Sequence, residues 1–442
     1  MHIQYNFTRI VIAYIIAIII FIISATIIVY YSFGYRYNFS QNKIEPTGIL
    51  HLYPTDNRCQ IALNNQAVDN SQIGASTDIT NLAPGQYLLD ISCDQYLKWQ
   101  KEITIEPNKI TNENDIMLIP MHPKSSELSY IDQYSFNRYN QLLAYLSDNH
   151  IMILNFLSEK NQTIDNIEIN KSTEINWISN NLLAITNNNP ESTNIKIVNP
   201  YNNNVSQFTI PHSIKATDIL GTMPLGESII IYYSSPNIYL FDITTGNSPR
   251  ELIHDVYHPI IINGSLYYSP SDTSSTSLFA QNLTLQTTSQ YNFPNPITNL
   301  KLISNNTILV QSDNDQSTLY DLSNKSSLLS TDNIINASIS PDSKKIAIGK
   351  SNSLNIFSTS NNITNENIII KDQNIDVVTF IDNTNIIFES NSHLNSIDYT
   401  GQNNQIIETD KSDEIIYANA QKILTIEHIN GQRLLKYIYL KY

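Results

Sequence analysis

The chain opens on one unbroken apolar stretch and then changes character. Residues 10–31, IVIAYIIAIIIFIISATIIVYY, hold no charged side chain. Wound as a helix this stretch reaches about 33 Å, enough for a bilayer core of about 30 Å. After it, hydrophobic and polar residues alternate in short runs separated by Asn, Gly, Pro and Ser, the period and punctuation of strands. No helix-length 3.6-residue stripe recurs. The pattern predicts one N-terminal transmembrane α-helix followed by an all-β ectodomain.

Tyr30, Tyr31, Phe33, Tyr35 and Tyr37 cluster at the far end of the apolar run, where an aromatic belt at the headgroups is expected. The competing reading is a cleaved signal peptide. Against it stand the length of the run and the poor cleavage site, Ser24-Ala25-Thr26. Arg9 precedes the helix while Arg36 and Lys43 follow it, so basic residues nearly balance. The expected topology is a cytoplasmic tail at 1–9, the helix at 10–31, a juxtamembrane linker at 32–45 and everything else outside.

Residues 46–120 read as short strands between tight turns. Gly48-Ile49-Leu50-His51-Leu52-Tyr53-Pro54 opens the segment, and Cys59 to Leu63 runs into Asn64-Asn65. Leu82-Ala83-Pro84-Gly85 forms a turn, with Pro presetting φ and Gly accepting a positive one, and feeds a strand from Gln86 to Ile91. Tyr96 and Trp99 follow. This succession, best in the L-x-P-G-x-Y element from Leu82 to Tyr87, resembles a PEGA domain. The resemblance implies a small β-sandwich acting as an adhesion or scaffold module without catalytic residues. Thr55-Asp56-Asn57 departs from the naming motif after Pro54, Asn65 replaces the hairpin glycine, and Ala75-Ser76 replaces Thr-Pro. The chain's two cysteines, Cys59 and Cys93, both fall in this segment. An even count invites a disulfide worth about 3–4 kcal/mol in the chain-entropy view; two buried thiols on separate strands are the alternative.

Residues 121–442 repeat at about 40 residues, the length of a propeller blade. Units centre near Leu142, Leu182, Ile229, Leu266, Ile308, Ile346, Ile386 and Ile423. One unit carries Ser340-Pro341-Asp342-Ser343-Lys344-Lys345-Ile346-Ala347-Ile348, in which Pro and Asp shape a turn and Ile346 and Ile348 share a face of the next strand. That stretch resembles the blade signature of TolB-like and WD40-like propellers. The resemblance implies a β-propeller; counting the units gives eight blades if every unit is real, and seven if the outer units join to close the ring.

Composition narrows the functional classes. The formal net charge is −15 and Lys and Arg form no cluster in the ectodomain. Nucleic acid, which needs a basic stripe, is therefore set aside, and an acidic ectodomain gains nothing from lying flat on anionic lipid. The abundant Asn suits turns, because it tolerates left-handed backbone.

Candidate chemistry is thin. His254 and His258 have the spacing of a zinc pair, but Pro259 follows, Asp255 stands where a Glu base belongs, and the surroundings are strand-like. Asp313, Asp315, Ser317 and Asp321 faintly resemble a calcium loop, yet Thr318 and Asn324 replace its Gly and Glu, so a hairpin turn is expected. Neither a nucleophile elbow, a P-loop nor a dinucleotide fingerprint is present. Trp99 and Trp177 are expected to pack in cores, not to stack on sugars. The sequence thus predicts a membrane-anchored, non-enzymatic envelope protein without metal or cofactor. Its propeller would present a face to an envelope protein or a cell-wall glycan. A propeller hydrolase or lyase acting on polysaccharide or peptide is the second expectation, and a sensor working through another membrane protein the third.

Overall fold

The computed structural model describes the chain apart from residues 1, 39–41, 54–58, 69–76, 115, 138, 166, 190–191, 203, 212–217, 224–225, 243, 246–247, 273, 305, 360–365, 372, 392, 409–413 and 441–442. Pro54, Thr55-Asp56-Asn57 and Ala75-Ser76 lie outside the described residues. The rest forms two compact units: Met1–His122 with Gln402–Gln405, and Pro123–Gly401 with Ile406–Leu440.

In the first unit a helix, α1, runs over His2–Ser32. Its apolar window has a mean hydropathy of 3.0 and none of it is buried. Gly34, at φ +80°, ends the helix in the left-handed cap that glycine permits. A sandwich follows. One sheet orders Gln66–Val68, Cys59–Leu63, Gly85–Cys93 and Trp99–Ile105; the other orders Thr77–Leu82, Gly48–Leu52 and Ile110–Glu113. Alternating inward side chains of both sheets, among them Leu50, Leu52, Ile61, Leu89, Ile91, Trp99 and Ile103, make one core.

Asn64 and Asn65, at φ 50° and 62°, close the first hairpin as a two-residue turn whose twist matches the strands. Gly85 takes φ +154°, which side chains rarely adopt. Tyr87 Oη donates to the Ala83 carbonyl at 2.8 Å, bracing the turn around Pro84, and Leu82 and Tyr87 pack at the edge of the core. Tyr96 and Trp99 are buried in it. Cys59 and Cys93 lie opposite each other on adjacent strands with Cα atoms 4.1 Å apart, and their sulfurs are bonded.

The second unit is a β-propeller of eight four-stranded antiparallel sheets. Blades 1 to 7 span residues 133–164, 173–211, 218–253, 256–292, 297–332, 334–371 and 375–408, each with its strands in chain order. Blade 8 takes Glu414–Ala418, Lys422–Ile429 and Gln432–Tyr439 from the C-terminal end and borrows its outermost strand, Lys124–Ile131, from the start of the unit. This exchange closes the ring and settles the count at eight. All eight predicted apolar centres fall in, or one residue before, the second strand of a blade. Among the described residues, the first strands of blades 1 and 2, and those of blades 3 to 8 in succession, neighbour one another along the inner ring.

Each blade is apolar on both faces because each face meets a neighbour. In blade 6, Ile346 and Ile348 turn toward Ile303, Leu309 and Leu319 of blade 5. Ala347, one residue away and thus on the opposite face, joins Val378, Phe388 and Ile397 of blade 7. The large buried tyrosines Tyr145, Tyr232 and Tyr437 likewise fill interfaces between blades.

Candidate binding face at the inner strands

The turn from Ser340 to Lys345 joins the first strand of blade 6 to the second. Ser340 N–H donates to the Lys345 carbonyl at 2.9 Å, and Lys345 N–H returns a bond of 2.9 Å to Ser340 Oγ. Ser340 Oγ also donates to Asp342 Oδ1 at 2.7 Å, and Lys344 N–H reaches the same oxygen at 3.1 Å. These donors, the Ser340 hydroxyl foremost, hold the Asp342 carboxyl below its ordinary range. Pro341 sits at the bend, and Ser343 takes φ 58°. The blade signature is thus a self-contained turn.

That turn is also tied to its neighbour. Asp342 N–H donates to Asn383 Oδ1 at 2.9 Å, and Lys345 Nζ to the Asn383 carbonyl at 2.9 Å. Equivalent ties join Asn137 Nδ2 to the Asn180 carbonyl at 2.9 Å between blades 1 and 2, and Asn263 Nδ2 to Asn306 Oδ1 at 3.0 Å between blades 4 and 5. Turn propensity alone accounts for these asparagines in the sequence and is silent on their bridging. Its signal was a turn asparagine recurring at roughly the blade length.

The ends of the first strands in blades 5 to 8 enclose a cavity of about 380 Å³ at the mouth of the inner ring. Asn336 and Ser338, Val377 and Thr379, and Ile415 and Tyr417 are its half-buried alternating positions. Ser304, Pro341, Ile381 and Asn419 complete the lining, and no charged side chain lines the cavity among the described residues. Aliphatic, hydroxyl and amide groups together make a surface that binds by apolar burial and hydrogen bonds.

Charged groups gather instead where the ring closes. Lys422 of blade 8, with its side chain 6% exposed, is paired with Glu159 of blade 1, and Tyr439 Oη donates to the same carboxylate at 3.0 Å. The Lys422 ammonium lies 4.8 Å from the ring centroids of both Phe156 and Tyr437. The hydrogen bond from Lys422 holds the Glu159 carboxyl below its usual range. Tyr134 of blade 1 donates to Glu414 of blade 8, and burial first, then this carboxylate, pushes its phenol upward.

The other sequence candidates are dispersed. His254 is exposed, 3.7 Å from Glu251, while His258 sits at φ 50° in a bulged strand, where burial pushes its imidazole down. The two rings share no helix face. Asp313 and Asp315 form the turn before strand Gln316–Asp321, which carries the buried Ser317, and Asp321 closes its far end. Asp321 Oδ1 accepts from Ser323 N–H at 2.8 Å. Six strand residues span about 20 Å, too far for one ion. Among the described residues no three His, Cys, Asp or Glu side chains group as metal ligands. Trp177 is half-buried and its Nε1 donates to the Ser135 carbonyl at 3.0 Å.

These features define an eight-bladed β-propeller, in a chain that also holds an apolar helix and a small sandwich. No family model and no curated protein matches the chain. Among solved structures it is similar to the WD40-like propeller Hsv2 of Kluyvelomyces marxianus, at 14% identity and TM-score 0.41 over 61% of this chain and 92% of that one. It is similar also to Sqt1 of Saccharomyces cerevisiae, at 12% identity and TM-score 0.47 over 71% of this chain and 97% of that one. The Dos1 propeller gives 14% identity and TM-score 0.46 over 71% and 94%. Likeness at this level carries no argument about activity, and the propeller assignment stands on its own blade topology.

Proposed function

We propose that the chain is a single-pass, membrane-anchored, non-enzymatic binding protein of the cell envelope. Helix α1 tethers it with residues 1–9 inside; the sandwich at 46–120 acts as a PEGA-like spacer, and the propeller at 121–442 holds a partner protein. The observation that carries this reading is the mouth of the inner ring, where four blades converge on a lining that holds no charged group among the described residues. Acid–base chemistry needs groups that titrate near neutrality. Val377, Ile415 and Ile381 instead offer aliphatic surface beside Asn336, Thr379 and Asn419. Tyr417 is half-buried among these groups, and the mixture suits a protein partner better than a glycan, whose rings favour fully exposed aromatic platforms. The bonded Cys59 and Cys93 fit an oxidising compartment, in keeping with the outward topology.

Protease treatment of intact cells tests the topology. A tag before residue 10 is expected to survive while an epitope after residue 440 is digested. The opposite protection pattern would refute the arrangement.

A further inference from the structure

Where helix α1 ends, the chain folds back to leave a cleft of about 880 Å³ against the sandwich. Its polar wall holds Arg36, Lys109, Thr80, Asn81 and Asn108, and no carboxylate lines it among the described residues. Of the nearby acids, Glu45 is held by Lys43 and Asn38, and Glu106 pairs with Lys109 of the wall itself, which leaves Arg36 as the uncompensated cation. Arg36 is a fixed charge. Its Nη1 donates to the Tyr31 and Tyr35 carbonyls at 2.7 and 2.9 Å, and its guanidinium carbon lies 3.5 Å from the Tyr31 ring centroid. Arg36 Nε is shut off from solvent and makes no hydrogen bond. A guanidinium held in place by two carbonyls and an aromatic ring, with no acidic partner among the described residues, is half of a phosphate site.

The position of the cleft supplies the other half. The apolar window Ile10–Ser32 has 23 residues, about 34 Å of helix, so its last turn falls at headgroup depth in a bilayer. Tyr31 and Phe33 line the cleft, and both are exposed toward that depth. We infer that the cleft binds the phosphodiester of an anionic glycerophospholipid, with Arg36 on the phosphate, the Glu106-paired Lys109 beside it, and Asn81 and Asn108 on the headgroup hydroxyls. The acyl chains would run back along α1. This rests on the membrane-anchor reading. The acidic net charge of −15 does not oppose it, because charges beyond about 8 Å are screened at physiological salt and the cleft wall is locally basic.

The test uses the full chain, floated with vesicles of phosphatidylcholine alone or mixed with phosphatidylglycerol, then extracted gently and weighed by native mass spectrometry. The chain is expected to float with both vesicles and to retain phosphatidylglycerol about fivefold over phosphatidylcholine, the effect of one uncompensated basic contact. Arg36→Gln combined with Lys109→Gln should abolish the preference while flotation persists. Lys109→Glu alone, at an exposed turn, should reduce it several-fold without shifting the melting temperature. Soluble glycerophosphoglycerol should compete weakly, whereas full displacement by it or by inorganic phosphate would overturn the lipid assignment in favour of a free anion. Flotation with equal retention of both lipids, or a preference unmoved by the variants, overturns the headgroup site alone. Failure to float with either vesicle overturns the anchor reading and the headgroup site together.

Discussion

Ser338 Oγ accepts a hydrogen bond of 3.0 Å from the Phe380 N–H, 42 residues further along the chain. Ser135 and Trp177 repeat the relationship at 3.1 Å, again 42 residues apart. In both cases a serine on the first strand of one blade satisfies a backbone donor on the first strand of the next. Cylindrical closure requires the inner strands to approach without forming a continuous sheet, and a short hydroxyl bridges that gap. Replacing Ser338 by Ala leaves the Phe380 N–H without its partner and should lower stability by roughly 1–2 kcal/mol. Ser338→Thr should retain most of it. Chemical denaturation of both variants checks this.

Ring closure depends on an asymmetric ion pair. Lys422 is buried whereas the Glu159 side chain is 40% exposed. Glu159→Ala strands a buried ammonium and should cost roughly 2 kcal/mol, less than a fully buried pair would because solvent reaches the carboxylate. Lys422→Met keeps the stem between Phe156 and Tyr437 and should be near neutral. Comparable losses in the two variants would contradict this account of the latch.

The same pair fixes a pH dependence. The folded Glu159 carboxyl titrates below its unfolded value, so it contributes stability above about pH 4.3 that is lost as pH falls through the folded value. The melting-temperature gap between wild type and Glu159→Gln should therefore be constant from pH 7 to 6 and narrow below about pH 4. A gap that widens on acidification would reverse the sign assigned here.

Blade 6 is held from both sides. Ile348 is fully buried, and Ile348→Ala should cost about 3–4 kcal/mol. A Cβ on Gly349 would lie 2.9 Å from Ile375 Cγ2 and 3.0 Å from the Ile375 carbonyl, so Gly349→Ala forces blades 6 and 7 apart. Thermal melts should show both variants destabilised, with Gly349→Ala losing at least 1 kcal/mol despite adding only one methyl.

The bonded cysteines predict a redox-dependent first unit. Reduction of the full chain, or Cys59→Ala with Cys93→Ala, should remove about 3–4 kcal/mol from the sandwich. The propeller, a separate compact unit, should melt unchanged. Two-transition calorimetry with and without reductant distinguishes the units.

Much of the architecture was legible because it is periodic. The charge-free run from Ile10, the alternation of strands and the eight apolar centres each reflect one repeated physical demand. Ile346 and Ile348 on one face, with Ala347 on the other, follow from the two-residue period of a strand. The choice between seven and eight blades was not legible, because the strand Lys124–Ile131 pairs with Gln432–Tyr439, and local pattern is silent about pairing over such a separation. The Arg36 cleft was equally hidden: Arg36 and Lys109 are far apart in sequence and meet only through the fold. Asn383 and Asn306 looked like ordinary turn residues because their bridging role depends on the adjacent blade.

The binding claim is tested most directly at Val377 and Ile415, half-exposed in the uncharged mouth. The full chain, with its helix capped in a nanodisc, is mixed with native envelope fragments, either untreated or stripped by protease, and sedimented. Wild type should pellet with untreated fragments only. Val377→Asp with Ile415→Asp should stay in solution, at least tenfold depleted from the pellet, while its circular dichroism is unchanged. Equal pelleting of wild type and variant with stripped fragments would contradict a protein-binding mouth.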